Sequence, residues 1–304
     1  MEKVIIAVDS GGSKTKVCII DYSKKILDTY IGQSGSPAVI GEEKAMNNIH
    51  EGIFNLYHRN KDNYDITSIA MGVSGLGVIK DKSQYEKRYF EEFNIPVYIE
   101  SDATLALYSI VQDIYEEGVL VLSGTGAAIL GINHGKMQLM SGWGHLLTEQ
   151  GSAFSVVRDM ICNTIRYFEK TGKMNKLGLE FMKYMNFSRL EDFRNFTYQN
   201  TKREIAYYSR FVNEMAIKYN NKDAIKLLKK AGIDLSKDVR NVTRALKLSS
   251  NAVLGFRGGF IDNSKITQNE LINNLNKFGI NFKIIEGDSD PIYGALYISK
   301  RREQ

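Results

Sequence analysis

Residues 4–21 read "VIIAVDSGGSKTKVCIID". Val4 to Val8 form an apolar run that predicts a buried strand, and "KVCIID" resumes a strand pattern directly after the glycine turn. "GGSKT" suggests a P-loop, but the G-x-x-x-x-G-K-[ST] spacing is absent, and a P-loop runs into a helix rather than a second strand. The segment is therefore a hairpin. Glycines let neighbouring N–H groups converge on an anion, so such a hairpin can still hold phosphate through Gly11 and Gly12. Ser13 and Thr15 add hydroxyl donors, and Asp9 is placed to hold a magnesium ion through water. A hairpin turn with no ligand accounts for the same residues equally well.

The pattern returns at residues 118–132, "GVLVLSGTGAAILGI", again an apolar strand, a glycine turn (Gly124, Thr125, Gly126) and a second strand. This internal repeat predicts an α/β protein of two similar lobes, 1–116 and 117–304, with the final helix 290–304 able to cross back to the first. Strand patterns at "ILDTYIGQ", "ITSIAMGVSG" and "PVYIES", and helical spacing at 43–60 and 103–117, fill the first lobe. The stretch 151–250 is largely helical, after which "NAVLGFRGGFID" brings a strand and a third glycine turn, Gly258 and Gly259. A helix at 268–279, a strand "NFKIIEG" and a closing helix from Asp290 follow.

The chain has 304 residues, 43% hydrophobic and 25% charged, with a net charge of +5, all ordinary for a globular protein. The basic stretches at 227–247 and 299–303 read as solvated helix faces, so no nucleic-acid partner is expected. Without a membrane-length apolar run or a leader before the first strand, and with Cys18 and Cys162 far apart, a cytoplasmic protein is expected.

Five segments in order, "VDSGGSKTK", "SDATLALYS", "VLSGTGAAI", "GWGHLLTEQGSAF" and "GGF", resemble those of N-acetylglucosamine kinases in the BadF/BadG/BcrA/BcrD ATPase group. The resemblance implies two ribonuclease-H-like (actin-like ATPase) lobes with a cleft between them, holding ATP and Mg²⁺ beside an amino sugar. By the same resemblance Asp102 matches the catalytic aspartate, which accepts the hydroxyl proton. Read from the residues alone, Asp102 is the better candidate for a helix cap. Ser13 and Thr125 match hydroxyls that contact phosphates, and Gly258 and Asn263 match the nucleoside-side turn. Ala216 offers a small surface to the nucleotide, although packing is its plainer role. The sugar is assigned to Ser36, Ser74, Asp102, Gly142, Trp143, Gly144 and Glu149.

Two of these positions depart from the family pattern. Ser36 stands where animal-type kinases carry Asn, and Thr148-Glu149-Gln150 replaces Gly-Asp-Glu. Both changes fall on the sugar side, so N-acetylmuramic acid and glucosamine stand beside N-acetylglucosamine as candidate substrates. Glu149 is expected to accept a sugar hydroxyl, and Trp143 to support its loop or face the sugar rather than sit in the core. A homodimer is expected. The alternative from the same group, an ATPase activator of a dehydratase, needs cluster-binding cysteines after glycine-rich motifs, and neither Cys18 nor Cys162 has that context.

Overall fold

The computed structural model describes residues 1–303. The chain divides into two compact units, Met1–Gly118 together with the segment from Ile285 onward, and Val119–Ile284.

The first unit holds strands β1 (Glu2–Ser10), β2 (Thr15–Asp21), β3 (Ile26–Gly32), β4 (Tyr64–Val73) and β5 (Val97–Ser101), ordered β3-β2-β1-β4-β5. β1 runs antiparallel to β2 and parallel to β4, and β5 continues parallel to β4. A central strand covered on both faces needs apolar residues at every position, and Val4 to Val8 are all fully buried. Helix Glu42–Asn60 turns Ala45, Met46, Ile49, Ile53 and Leu56 inward, the spacing of one helical face. Helix Asp102–Val111 and the closing helix Gly294–Glu303 pack against each other and against β4.

The second sheet contains β6 (Glu117–Ser123), β7 (Ala127–Asn133), β8 (Lys136–Ser141), β9 (Val253–Arg257) and β10 (Lys283–Ile284). Its order, β10-β9-β6-β7-β8, is that of the first sheet read from the opposite edge. The repeat in sequence is thus a repeat in topology, two ribonuclease-H-like sheets. Six helices between β8 and β9 make the second unit larger. The longest, Lys222–Leu246, buries Leu227, Leu228, Ala231, Leu235, Val239 and Val242, so the basic residues of this stretch form the outer face of an amphipathic helix.

Several elements differ from expectation. The helix expected over 103–117 stops at Val111, because Gln112 takes φ 56°. Within the largely helical stretch, residues 202–217 form two helices, Lys202–Tyr207 and Ser209–Ile217, parted at Tyr208 with ψ near 0°. Helix Ser83–Phe93 and strand β8 were not predicted, and "NFKIIEG" shrinks to the two residues of β10.

Candidate active site

In the first unit the register fixes which residues share an edge. Ser10 pairs with Val73 across β1 and β4, and Val73 pairs with Ser101 across β4 and β5. The C-terminal ends of three parallel strands therefore lie level, the edge where ligands of open α/β sheets gather. Asp9, Ser74 and Asp102 all stand within one residue of that edge. Ser101, not Asp102, caps the following helix: its backbone is extended and its hydroxyl accepts from Thr104 N at 3.0 Å. Asp102 is the exposed first residue of the helix, and its carboxylate accepts only from its neighbour Ala103 N, at 2.9 Å. The capping role that competed with catalysis for Asp102 belongs to the residue before it.

Asp9 is largely buried, and its carboxyl is pushed up to about 6, first by that burial and then by the negative charges of Asp290 and Asp102, against the pull of Lys16 and Lys14. Asp290 pairs with Lys16 at 2.6 Å. Asp9, Ser13, Lys14, Lys16 and Asp290 line a cavity of about 610 Å³. Among the described residues no group of three or more His, Cys, Asp or Glu side chains could hold a metal by itself. Magnesium commonly uses one or two carboxylates, retained waters and substrate phosphates, and Asp9 fits that mode. The crowding of negative charge around Asp9 is the deficit that such a cation relieves.

The hairpin itself corrects two expectations. Thr15 is fully buried, with its hydroxyl 3.2 Å from Ser10 Oγ, so it supports the turn from within rather than meeting a phosphate. Gly11 N donates to Lys14 O at 2.9 Å and is used in closing the turn. Ser13 and Gly12 are exposed at its tip. Ser36, at 2% exposure, is packed beneath the next turn, where a Cβ on Gly75 would come within 3.0 Å of its hydroxyl. It shapes the loop beside Ser74 and does not face solvent.

The second unit brings the other two glycine turns together. Ser123 O accepts from Phe260 N and Ile261 N at 3.2 and 2.9 Å, and a Cβ on Gly124 would lie 3.7 Å from Gly259 N. Gly258 has φ 125°, and a Cβ there would stand 2.5 Å from Ser123 O, so only glycine fits. Gly124 N closes its own turn onto Gly126 O at 2.9 Å, as Gly11 does in the first unit. Thr125 is exposed at the tip. Ala153 N donates to Gly124 O, which sets the start of helix Ala153–Thr171 against the turn and brings the positive end of its dipole there. Asn263, exposed on the third turn, donates to Gly259 O at 2.9 Å and braces it.

The segment 141–152 is built around Glu149. Glu149 and Ser141 take left-handed backbone (φ 68° and 65°), as do Gly142 and Gly144 (79° and 99°). Glu149 is only 7% exposed, and its two carboxylate oxygens accept from Gly144 N at 3.0 Å and Lys202 Nζ at 2.6 Å. Its carboxylate holds its own loop through Gly144 and reaches the helical insertion through Lys202. Trp143 is 75% exposed, with its N–H donated to Thr148 Oγ1 at 3.0 Å, so it is not a core residue. His145 packs edge-on against Phe154, with ring centroids 4.6 Å apart.

With this geometry in place, comparison with known proteins is decisive at the family level. Residues 6–299 match the BadF/BadG/BcrA/BcrD ATPase family. The chain belongs to that family. Two curated relatives are similar end to end. The N-acetylmuramic acid/N-acetylglucosamine kinase of Clostridium acetobutylicum is 29% identical, with 98% of each chain covered. The N-acetyl-D-glucosamine kinase of Dictyostelium discoideum is 26% identical, again with 98% of each covered. A crystal structure from Porphyromonas gingivalis, solved as a candidate N-acetylglucosamine kinase, shares the fold at TM-score 0.68 and 16% identity, covering 98% of this chain and 99% of that one.

For this ATPase-family chain, the structure also shows residues that the sequence reading passed over. Asn213 donates to Asn263 O at 2.8 Å and accepts from Ser264 Oγ at 3.1 Å, tying a helix to the third turn. Its helix neighbour Ala216 is buried in the helical core, which corrects its assignment to the nucleotide. Asp290, beside Asp9, and Lys202, beside Glu149, lie 281 and 53 positions away in sequence from the residues they serve, with no local pattern to mark them.

Proposed function

We propose that the chain is an ATP-dependent kinase that moves the γ-phosphoryl group of ATP to the O6 hydroxyl of an N-acetylated hexosamine. The observation that carries this reading is Asp102: an exposed carboxylate at the ligand edge of the sheet, released from capping by Ser101. In the proposed reaction Asp102 takes the hydroxyl proton as the sugar oxygen bonds to phosphorus. The bond from phosphorus to the β,γ-bridging oxygen breaks, and ADP leaves. Each unit carries its own exposed hydroxyl suited to a phosphate oxygen at a hairpin tip, Ser13 in the first and Thr125 in the second. The start of helix Ala153–Thr171 adds favourable potential for the anion, and Gly258 allows the third turn to pack closely. Asp9 would hold Mg²⁺ through water, and the ion would neutralise charge on the phosphates when bound.

Within the second unit, Trp143 at 75% exposure and the neighbouring Gly142 offer a face suited to a sugar ring. The full-length similarity to a relative named for both N-acetylmuramic acid and N-acetylglucosamine supports an acceptor range that includes both sugars. Comparing kcat/KM for these two sugars and for glucosamine tests this range. Turnover of both acetylated sugars, with glucosamine at least tenfold poorer, is expected; equal use of glucosamine would remove the N-acetyl requirement.

A further inference from the structure

Lys202 opens the short helix Lys202–Tyr207, and its ammonium is paired with the buried carboxylate of Glu149 at 2.6 Å. The pair lies directly on the Gly124–Gly126 turn: a Cβ added to Gly126 would stand 2.6 Å from Glu149 Oε2 and 2.8 Å from Lys202 Nζ. The other Glu149 oxygen holds Gly144 N, Glu149 N is held by Ser141 Oγ at 2.8 Å, and the residue sits in a left-handed conformation that costs energy without such support. One ion pair thus fastens the Trp143 loop to the helical insertion, close beside the second glycine turn. A carboxylate this buried needs its cation, because an unpaired charge in low dielectric is strongly unfavourable.

We propose that Lys202 is a positioning residue for the sugar, acting through Glu149 to hold Gly142–Gly144 in the sugar-ready conformation. This rests on the reading that the loop meets the sugar, but its mechanical part can be tested without that reading. Trp143 is the only tryptophan in the chain, so tryptophan anisotropy reports on this loop alone.

The experiment compares the parent protein with Lys202→Met and Lys202→Arg by tryptophan anisotropy without ligands and by steady-state kinetics. Lys202→Met should lower the anisotropy and raise KM for the sugar about tenfold, with kcat and KM for ATP within about twofold, while Lys202→Arg keeps both near the parent. Should Lys202→Met not fold, the double substitution Glu149→Gln with Lys202→Met leaves no orphaned charge and is expected to shift both readouts in the same direction. Unchanged anisotropy, or a rise in KM for ATP equal to that for the sugar, overturns the proposal. If the parent phosphorylates no hexosamine, the kinase reading fails alone, and the anisotropy comparison still decides whether Lys202 holds the loop.

Discussion

Ser101 and Asp102 are adjacent, share a preference for helix N-caps, and do different things. Either could cap a helix, so sequence alone cannot divide the roles; the extended backbone at Ser101 does. Ser101→Ala should therefore cost about 1 kcal/mol in thermal or urea unfolding. The Asp102→Asn protein should unfold within about 1 kcal/mol of the parent. Asp9 makes the opposite prediction for stability. Its folded carboxyl titrates at about 6, above the ordinary value of 3.8, so its ionised form is disfavoured by folding. Only well below pH 3.8 is the group protonated in both states, where it costs nothing. As pH rises towards 6 the unfolded chain loses the proton first, and stability falls. Asp9→Asn should stabilise the ligand-free protein by on the order of 2 kcal/mol at pH 8 and by little at pH 4, read from unfolding at both values. A gain of the same size at both values would mean that charge repulsion at Asp9 is not the cause.

At the scale of elements, the glycine turns were legible because backbone demands leave a mark in sequence. Gly258 is the clearest case, needing both a left-handed φ and the absence of a Cβ against Ser123. Gly258→Ala should separate the second and third turns, raise KM for ATP several-fold and destabilise the second unit by about 1–3 kcal/mol. Normal ATP kinetics in a stably folded variant would show that this packing does not serve the nucleotide. The two-lobe repeat was legible too, since "VIIAVDSGG" returns as "VLVLSGTGA" and the two sheets share one strand order. What local patterns could not show was side-chain direction and distant pairing. Thr15 looks like a phosphate donor in a turn sequence, yet it is the first residue of β2 and points inward to Ser10. Glu149 is legible as a polar anchor of its loop, but its partner Lys202 comes from a separate helix that no local pattern marks. Ser36 was misplaced for the same reason, its loop in place but its side chain buried, while the burial of Ala216 matches its plainer packing role.

For the molecule as a whole, each unit carries one phosphate-type hairpin, and each adds a feature that the other lacks. The first adds acidic residues, Asp9, Asp102 and Asp290; the second adds the paired glycine turns and the Trp143 loop. A non-hydrolysable ATP analogue with magnesium should stabilise the protein by about 2.7 kcal/mol at a hundred times its Kd, visible as a concentration-dependent rise in Tm. No rise at saturating nucleotide would contradict nucleotide binding by the folded chain. The family assignment and the fold stand apart from that outcome, whereas the proposed chemistry depends on Asp102. The most direct measurement is an assay coupling ADP release to N-acetylglucosamine or N-acetylmuramic acid, run with the parent and with Asp102→Asn. The account predicts sugar-dependent ADP release by the parent and a kcat lower by about 10²–10⁴-fold in the variant, with its fold intact. Parent-like turnover by Asp102→Asn, or ADP release indifferent to the sugar, would contradict it.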